Sequence, residues 1–345
     1  MTRLDRLRAQ LEEPLLVTKA TNVRYLCGLQ SSNAALLVQP DGPTRLYTDF
    51  RYLEKARAVE GVELVETKRS LVKDLAELLS GTVGFEAAHL SYDSYRVLAE
   101  GPAELVPRVG LVEGLRAVKD EEEIAAIRRA AEVADEGFRQ LAASRFVGRT
   151  ERDLAWQLEK SFRDLGAEGS SFPAIVAAGP NGALPHANPG ERVVERGQLV
   201  VVDAGCVVDG YCSDCTRTYS TGDLPDELAA IYELCLAAQL ASLEAVLPGA
   251  EGVAVDAVAR RPIAAAGYGE AFAHGLGHGV GLEIHEMPTL STLSVDTLAV
   301  GNIVTVEPGI YLPGLGGVRI EDFVVVREGG PEVLTHRPKE LTEVG

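Results

Sequence analysis

The 345-residue sequence predicts two domains, a small α/β domain over 1–115 and an α+β domain over 116–345 with an internal pseudo-twofold duplication. Three observations carry this. The first third alternates short apolar runs with helical patterns. Between Pro107 and Lys119 the pattern changes to long amphipathic segments. An order of helix, helix, strand and hairpin then occurs twice. Gly148, Glu151 and Asp153 precede a helix ending near Gly166, and Gly249, Glu251 and Asp256 stand in the same relation to one ending near Gly267. Such a duplication places corresponding residues of the two copies around one central cleft.

Taken in order, AALLVQP and TRLYTDF flank Asp41-Gly42-Pro43 and read as a hairpin. RYLEKARA and LVKDLAELLS read as helices, TVGFEA and ELVPR as strands. His89 follows the TVGFEA strand with nothing chemical beside it and reads as a surface or core-edge residue. A long helix follows Asp120, whose side chain suits an N-cap, with Glu121, Glu122 and Glu123 complementing the dipole. A second starts at Thr150 and stops near Gly166.

Composition excludes several classes. A net charge of −18 argues against a nucleic-acid partner, because phosphate binding needs a basic surface. No apolar run approaches the roughly 20 residues that span a membrane, and the leucines at 4, 7 and 11 lack a signal core and cleavage site. A cytoplasmic protein is expected. Five cysteines are odd in number and irregularly spaced, which suits reduced thiols. Cys212 and Cys215 form a CxxC, but on a strand they face opposite ways, so buried thiols are expected rather than a metal clamp.

The chemistry gathers in three stretches. AFAHGLGHGVGLEIHE holds three of the six histidines, His274, His278 and His285, among glycines that exclude a helix. On its own this cluster reads equally as a packing network or as a metal or catalytic site. QLVVVDAGCVVDGYCSDCTRTYS reads as two strands about an Asp209-Gly210 turn. A turn centred there pairs Asp203 with Thr216, diagonal to Asp214; one residue earlier, the two acids pair directly. Either register puts both carboxylates on one face. NIVTVEPGIYLPGLGGVRIEDFVVV repeats the device with Glu307 and Glu321, joined through Pro313-Gly314. Arg319 shares a face with Glu321 and is placed to orient a carboxylate, while Asp322 points away and reads as solvated or supporting.

Four buried acids side by side cannot all stay ionised. Two divalent cations balance them, and a neutral imidazole completes the set. Oxygen-rich ligation suits Mn²⁺, Co²⁺ or Zn²⁺ without choosing among them, and the arrangement is that of two-metal hydrolysis.

DAGCVVDGYCSDCTRT, HGLGHGVGLEIHE, TVEPGIY and GGVRIED, in this order, resemble the pita-bread metallopeptidase family of prolidase, aminopeptidase P and methionine aminopeptidase. The resemblance covers Val118 to the C-terminus. It implies that Asp203, Asp214, His278, Glu307 and Glu321 are metal ligands, with Asp214 and Glu321 bridging. It implies Glu307 as the acid/base, His186 as a substrate-side histidine, and His274 and His285 as donors flanking the reacting carbonyl. The motif glycines would let the peptide backbone approach the metals. His336 matches nothing and reads as structural.

The N-terminal domain resembles that of prolidase, aminopeptidase P and creatinase, and creatinase works without metal. The resemblance therefore implies a metallo-exopeptidase that cleaves the Xaa-Pro bond of small peptides with proline second, with Mn²⁺ as the expected metal and a homodimer as the expected assembly. Some prolidases carry an arginine after the His-Glu pair; here Thr289 stands there. That favours aminopeptidase P over Xaa-Pro dipeptidase, unless Arg45 or Arg51 holds the proline carboxylate. A non-catalytic peptide-binding module of the same fold is the alternative from a different class.

Overall fold

The computed structural model describes residues 1–345. The chain divides into two compact units, Met1–Arg116 and Ala117–Gly345. In the first, strands β1 (Leu15–Val17), β2 (Ala34–Val38), β3 (Thr44–Asp49), β4 (Val62–Thr67), β5 (Gly81–Glu86) and β6 (Ala103–Arg108) form one sheet in the order β4-β3-β2-β1-β5-β6. Helices α1 (Arg3–Arg8), α2 (Ala20–Cys27), α3 (Leu53–Ala56), α4 (Leu71–Leu78), α5 (Tyr92–Ala99) and α6 (Leu111–Ala117) alternate with them. The expected hairpin is β2–β3, and the unbroken apolar run of β2 is buried throughout. RYLEKARA forms only the single turn of α3. The Arg51 guanidinium grips Asp49 at 2.6 Å and holds the preceding residues in a turn, so the helix starts late.

The second unit opens with α7 (Glu121–Ala142) and α8 (Glu151–Asp164), each closed by a capping box, Asp120 with Glu123 and Thr150 with Asp153. Such caps contribute about 1 kcal/mol each. Strands β7 (Gly169–Ser170), β8 (Ile175–Ala178), β9 (Leu199–Ala204), β10 (Cys206–Val208), β11 (Tyr211–Cys212) and β12 (Cys215–Ser220) follow. Then come α9 (Asp226–Glu244), α10 (Gly252–Ala265), β13 (Gly277–Gly279), β14 (Glu286–Leu290), β15 (Ile303–Val306), β16 (Gly309–Leu312), β17 (Gly316–Arg319), β18 (Asp322–Val325), β19 (Glu332–Val333) and β20 (Thr342–Glu343). One sheet runs β20-β12-β9-β8 and another β14-β13-β15-β18-β19.

The duplication is visible in hydrogen bonds. Gly148 donates to the Val194 carbonyl and Gly249 to that of Leu298, each 2.9 or 2.8 Å away. Thr150 bridges Val193, and Glu251 bridges Thr297. Glu151 at the start of α8 accepts the Ala178 N–H, and Asp256 in α10 accepts that of Leu276. Each half has its own core, one around Phe138, Leu158 and Val202, the other around Ile231, Ile263 and Val324.

Candidate metal centre

The acids arrive from matched strand ends. Asp203 lies in β9, Asp214 just before β12, Glu307 just after β15 and Glu321 just before β18. The β9–β12 register pairs Asp203 with Thr216, the first of the two registers considered. Asp209 and Gly210 both have positive φ, 51° and 76°, as the tight hairpin turn requires. Glu321 donates its N–H to the Thr216 carbonyl at 3.1 Å, and Thr218 bonds Arg319, which stitches the two hairpins together. As a result, oxygens of Asp203, Asp214 and Glu321 lie within 4.8 Å of one another. His278, in β13, puts Nε2 3.2 Å from Glu307 and 3.7 Å from Asp214. Its Nδ1 faces the Gly279 carbonyl at 3.1 Å, which can only accept, so one proton sits there, and Nε2, which shares its own proton with Glu307, is the atom that a metal would take in that proton's place.

The electrostatics call for a cation. Burial, then repulsion from neighbouring carboxylates, pushes the Asp214 and Glu321 carboxyls well above the ordinary range. Burial also raises Asp203, against the pull of Arg319. At Glu307 burial acts upward but is overcome by the His278 hydrogen bond, which lowers it to about 2. At His278 burial acts downward and Glu307 overcomes it, so the imidazole is raised. Asp203 Oδ1 is buried without a hydrogen-bond partner, a loss of about 1–3 kcal/mol if nothing occupies it. Hard oxygen donors with one imidazole fit divalent cations.

These groups line a cavity of about 420 Å³ whose apolar wall includes Phe172, Ile175 and Ile284. His186, His274 and His285 line it as well. The His285 ring stands edge-on to His278 with centroids 4.4 Å apart. His274 is already engaged: Nδ1 faces the Gly275 carbonyl at 2.8 Å, and Nε2 therefore accepts from the Tyr311 hydroxyl at 2.9 Å. Arg319 donates to that hydroxyl at 2.7 Å and to Asp203 Oδ2 at 2.6 Å. A chain of hydrogen bonds thus runs from a candidate ligand to His274. In this geometry His274 offers the cavity no free proton, and His285 does.

Several expectations change. Gly275 and Gly277 line the cavity, but the motif glycines also serve the strand packing: a Cβ at Gly277 would lie 2.0 Å from the Thr305 carbonyl oxygen, and one at Gly279 2.2 Å from that of Met287. They let neighbouring strands close. Asp322 is not solvated but fully buried, held by Arg217 at 2.7 Å, Lys339 at 2.6 Å, Thr335 and Gln239. Cys212 and Cys215, expected as buried thiols, are buried and free in different core clusters. Thr289 pairs with His278 across β13–β14, but its hydroxyl bonds Asp296 and Ser294. Arg45 and Arg51 pair with Glu63 and Asp49. Sequence reasoning also passed over Tyr311 and Thr305, whose hydroxyl is 3.0 Å from Glu307. The signal for Tyr311 was present, an aromatic residue facing Gly317 across the β16–β17 hairpin.

A buried carboxylate–imidazole cluster at the floor of a cavity defines a metallohydrolase. Comparison with known proteins makes this specific: residues 125–328 match the metallopeptidase family M24, and residues 3–118 match the creatinase/prolidase N-terminal domain. The chain belongs to the M24 family, has the pita-bread fold and is a metallo-exopeptidase working with divalent metal ions. It is 35% identical to the Xaa-Pro dipeptidase of Pyrococcus furiosus, over 98% of this chain and 99% of that one. A solved Xaa-Pro dipeptidase from Bacillus anthracis superposes with a TM-score of 0.95 at 39% identity, covering 99% of this chain and 98% of that one. An X-Pro aminopeptidase from Thermotoga maritima superposes at 0.89 with 34% identity, covering 98% and 100%. No helix is long and apolar enough to cross a membrane.

Proposed function

We propose that this enzyme is an Xaa-Pro dipeptidase with a dinuclear centre. The observation that carries the reading is the complete set of Asp203, Asp214, His278, Glu307 and Glu321 at the floor of a cavity of about 420 Å³, a volume suited to a very small peptide. Thr289 favoured aminopeptidase P, but relatives named Xaa-Pro dipeptidase match the whole chain at 35% and 39% identity, and dipeptides are the better-supported substrate. Longer Xaa-Pro peptides are the second reading, supported by Thr289 and by the Thermotoga maritima relative. A peptide-binding module without activity would not need all five donors. We place the domain boundary near residue 115 and expect a cytoplasmic homodimer.

The five donors would hold two divalent ions, Mn²⁺ by preference and Co²⁺ or Zn²⁺ otherwise, which supply Lewis acidity and lower the pKa of the attacking water. Glu307, oriented by the Thr305 hydroxyl, takes the proton of that water and passes it to the proline nitrogen as the amide bond breaks. His285 donates to the carbonyl oxygen as charge develops there. His186 stands on the substrate side. Arg319 fixes Asp203 and favours its ionised form, while Tyr311 and His274 hold Arg319 in turn.

The test offers an Xaa-Pro dipeptide and an Xaa-Pro-Xaa tripeptide side by side with Mn²⁺. Faster turnover of the dipeptide is expected. Preference for the tripeptide would restore the aminopeptidase reading, and cleavage of neither would remove proline peptidases altogether.

A further inference from the structure

The ring of His285 makes no hydrogen bond to protein, and residues 281–285 have no regular secondary structure. Something other than a sheet or helix must hold that ring beside the acids. The Glu286 carboxylate does so on one side. Its Oε1 accepts the Glu283 N–H at 3.0 Å, folding the loop back on itself. A Cβ on Gly281 would come within 2.6 Å of the same carboxylate, so the loop closes around it. Its Oε2 meets the Lys119 ammonium at 3.2 Å, and both side chains are almost fully buried, 5% and 1% exposed.

Lys119 is itself anchored. Its N–H donates to the Gly301 carbonyl at 2.9 Å, and Asn302 donates to the Ala117 carbonyl at 2.8 Å. Residues 301 and 302 lead directly into β15, which ends at Val306, next to Glu307. Lys119 therefore ties the His285 loop to the strand that delivers the acid/base. A buried ion pair adds little net stability over an apolar pair of equal volume, because both charges lose their water. What it does add is a fixed separation between the two backbones.

We propose that Lys119 and Glu286 are positioning residues for His285, setting where its ring meets the substrate carbonyl. This rests on the reading of His285 as a substrate-side donor. The tie lies outside the five metal donors, so metal content should not respond to it.

The experiment is a double-mutant cycle on the Mn²⁺-loaded full-length enzyme, with Lys119→Met, His285→Ala and the two combined, reading kcat and KM on an Xaa-Pro dipeptide. Lys119→Met should lower kcat/KM by roughly 10- to 100-fold, the usual consequence of misplacing a reacting group by about 1 Å. The double variant should lose no more than His285→Ala alone, within about 2-fold, because both changes remove one function. Losses that multiply would overturn the proposal. So would wild-type kcat/KM in Lys119→Met. If Lys119→Met does not fold, Glu286→Gln, which keeps an acceptor for Glu283, carries the same cycle with the same criteria. A wild-type rate in His285→Ala alone would instead strike down the role given to His285, and any loss in Lys119→Met would then contradict the positioning role as well.

Discussion

The two acidic hairpins of the catalytic unit are copies in plan but not in detail. In the first, the β10–β11 hairpin with its tight turn lies between Asp203 and Asp214 and joins β7 in a separate sheet, while β9 pairs directly with β12. In the second, the corresponding hairpin, β16–β17, lies between Glu307 and Glu321, is longer, and forms a two-stranded sheet of its own while β15 pairs with β18. That hairpin supplies Tyr311 and Arg319, where β10–β11 carries no arginine, and Arg319 reaches across to Asp203 in the first copy. The acids are thus shared by both copies, while Tyr311 and Arg319, which hold Asp203 in place, belong to the second alone. The protonation behaviour divides the acids differently. Asp214 and Glu321, one from each half, are both driven up by burial and by neighbouring carboxylates, whereas of the four acids Glu307 alone is driven down, by His278.

Breaking the shared part should have the largest effect. Asp214→Asn removes one acid of the duplicated pair, and kcat should fall by about 10³-fold together with bound metal, measured by steady-state kinetics and elemental analysis. Glu321→Gln should match it. If one of the two retained full metal and rate, the halves would not be equivalent. Breaking the unshared part should cost less. Tyr311→Phe removes the hydroxyl between Arg319 and His274, leaving the five donors intact. A loss of about 10-fold in kcat/KM, the scale of one buried hydrogen bond left unmade, is expected with metal content unchanged. A loss of metal instead would show that the β16–β17 hairpin shapes the donors themselves.

Much of this arrangement was legible in the sequence. The Asp209-Gly210 turn set the register of the first hairpin, and alternation along the strands put its two acids on one face. The helix caps at Asp120 and Thr150 were readable because capping is local. What escaped depends on partners far apart in the chain. Asp322 is an ordinary solvated acid until Arg217 and Lys339 are brought to it. The glycines near His278 look like room for a ligand until Thr305 and Met287 are seen pressing on them. Lys119 and Glu286 are 167 residues apart, and neither belongs to a periodic pattern that points at the other.

The central claim, that the two halves jointly hold two divalent ions, is tested most directly by titrating metal-free enzyme with Mn²⁺ by calorimetry at about pH 8 and about pH 6. The account predicts two equivalents per chain at the higher pH, with turnover appearing as they bind. It predicts weaker binding at the lower pH, because protons on the raised Asp214 and Glu321 carboxyls compete with the metal. Metal-free enzyme should move the other way. Carboxyls raised on folding stabilise the protein most below their unfolded values and lose that contribution as pH rises through the folded ones, so its Tm should be higher at about pH 6 than at about pH 8. Two tight equivalents, weakened by acid, are the expected result; no binding, or binding indifferent to pH, would contradict the account.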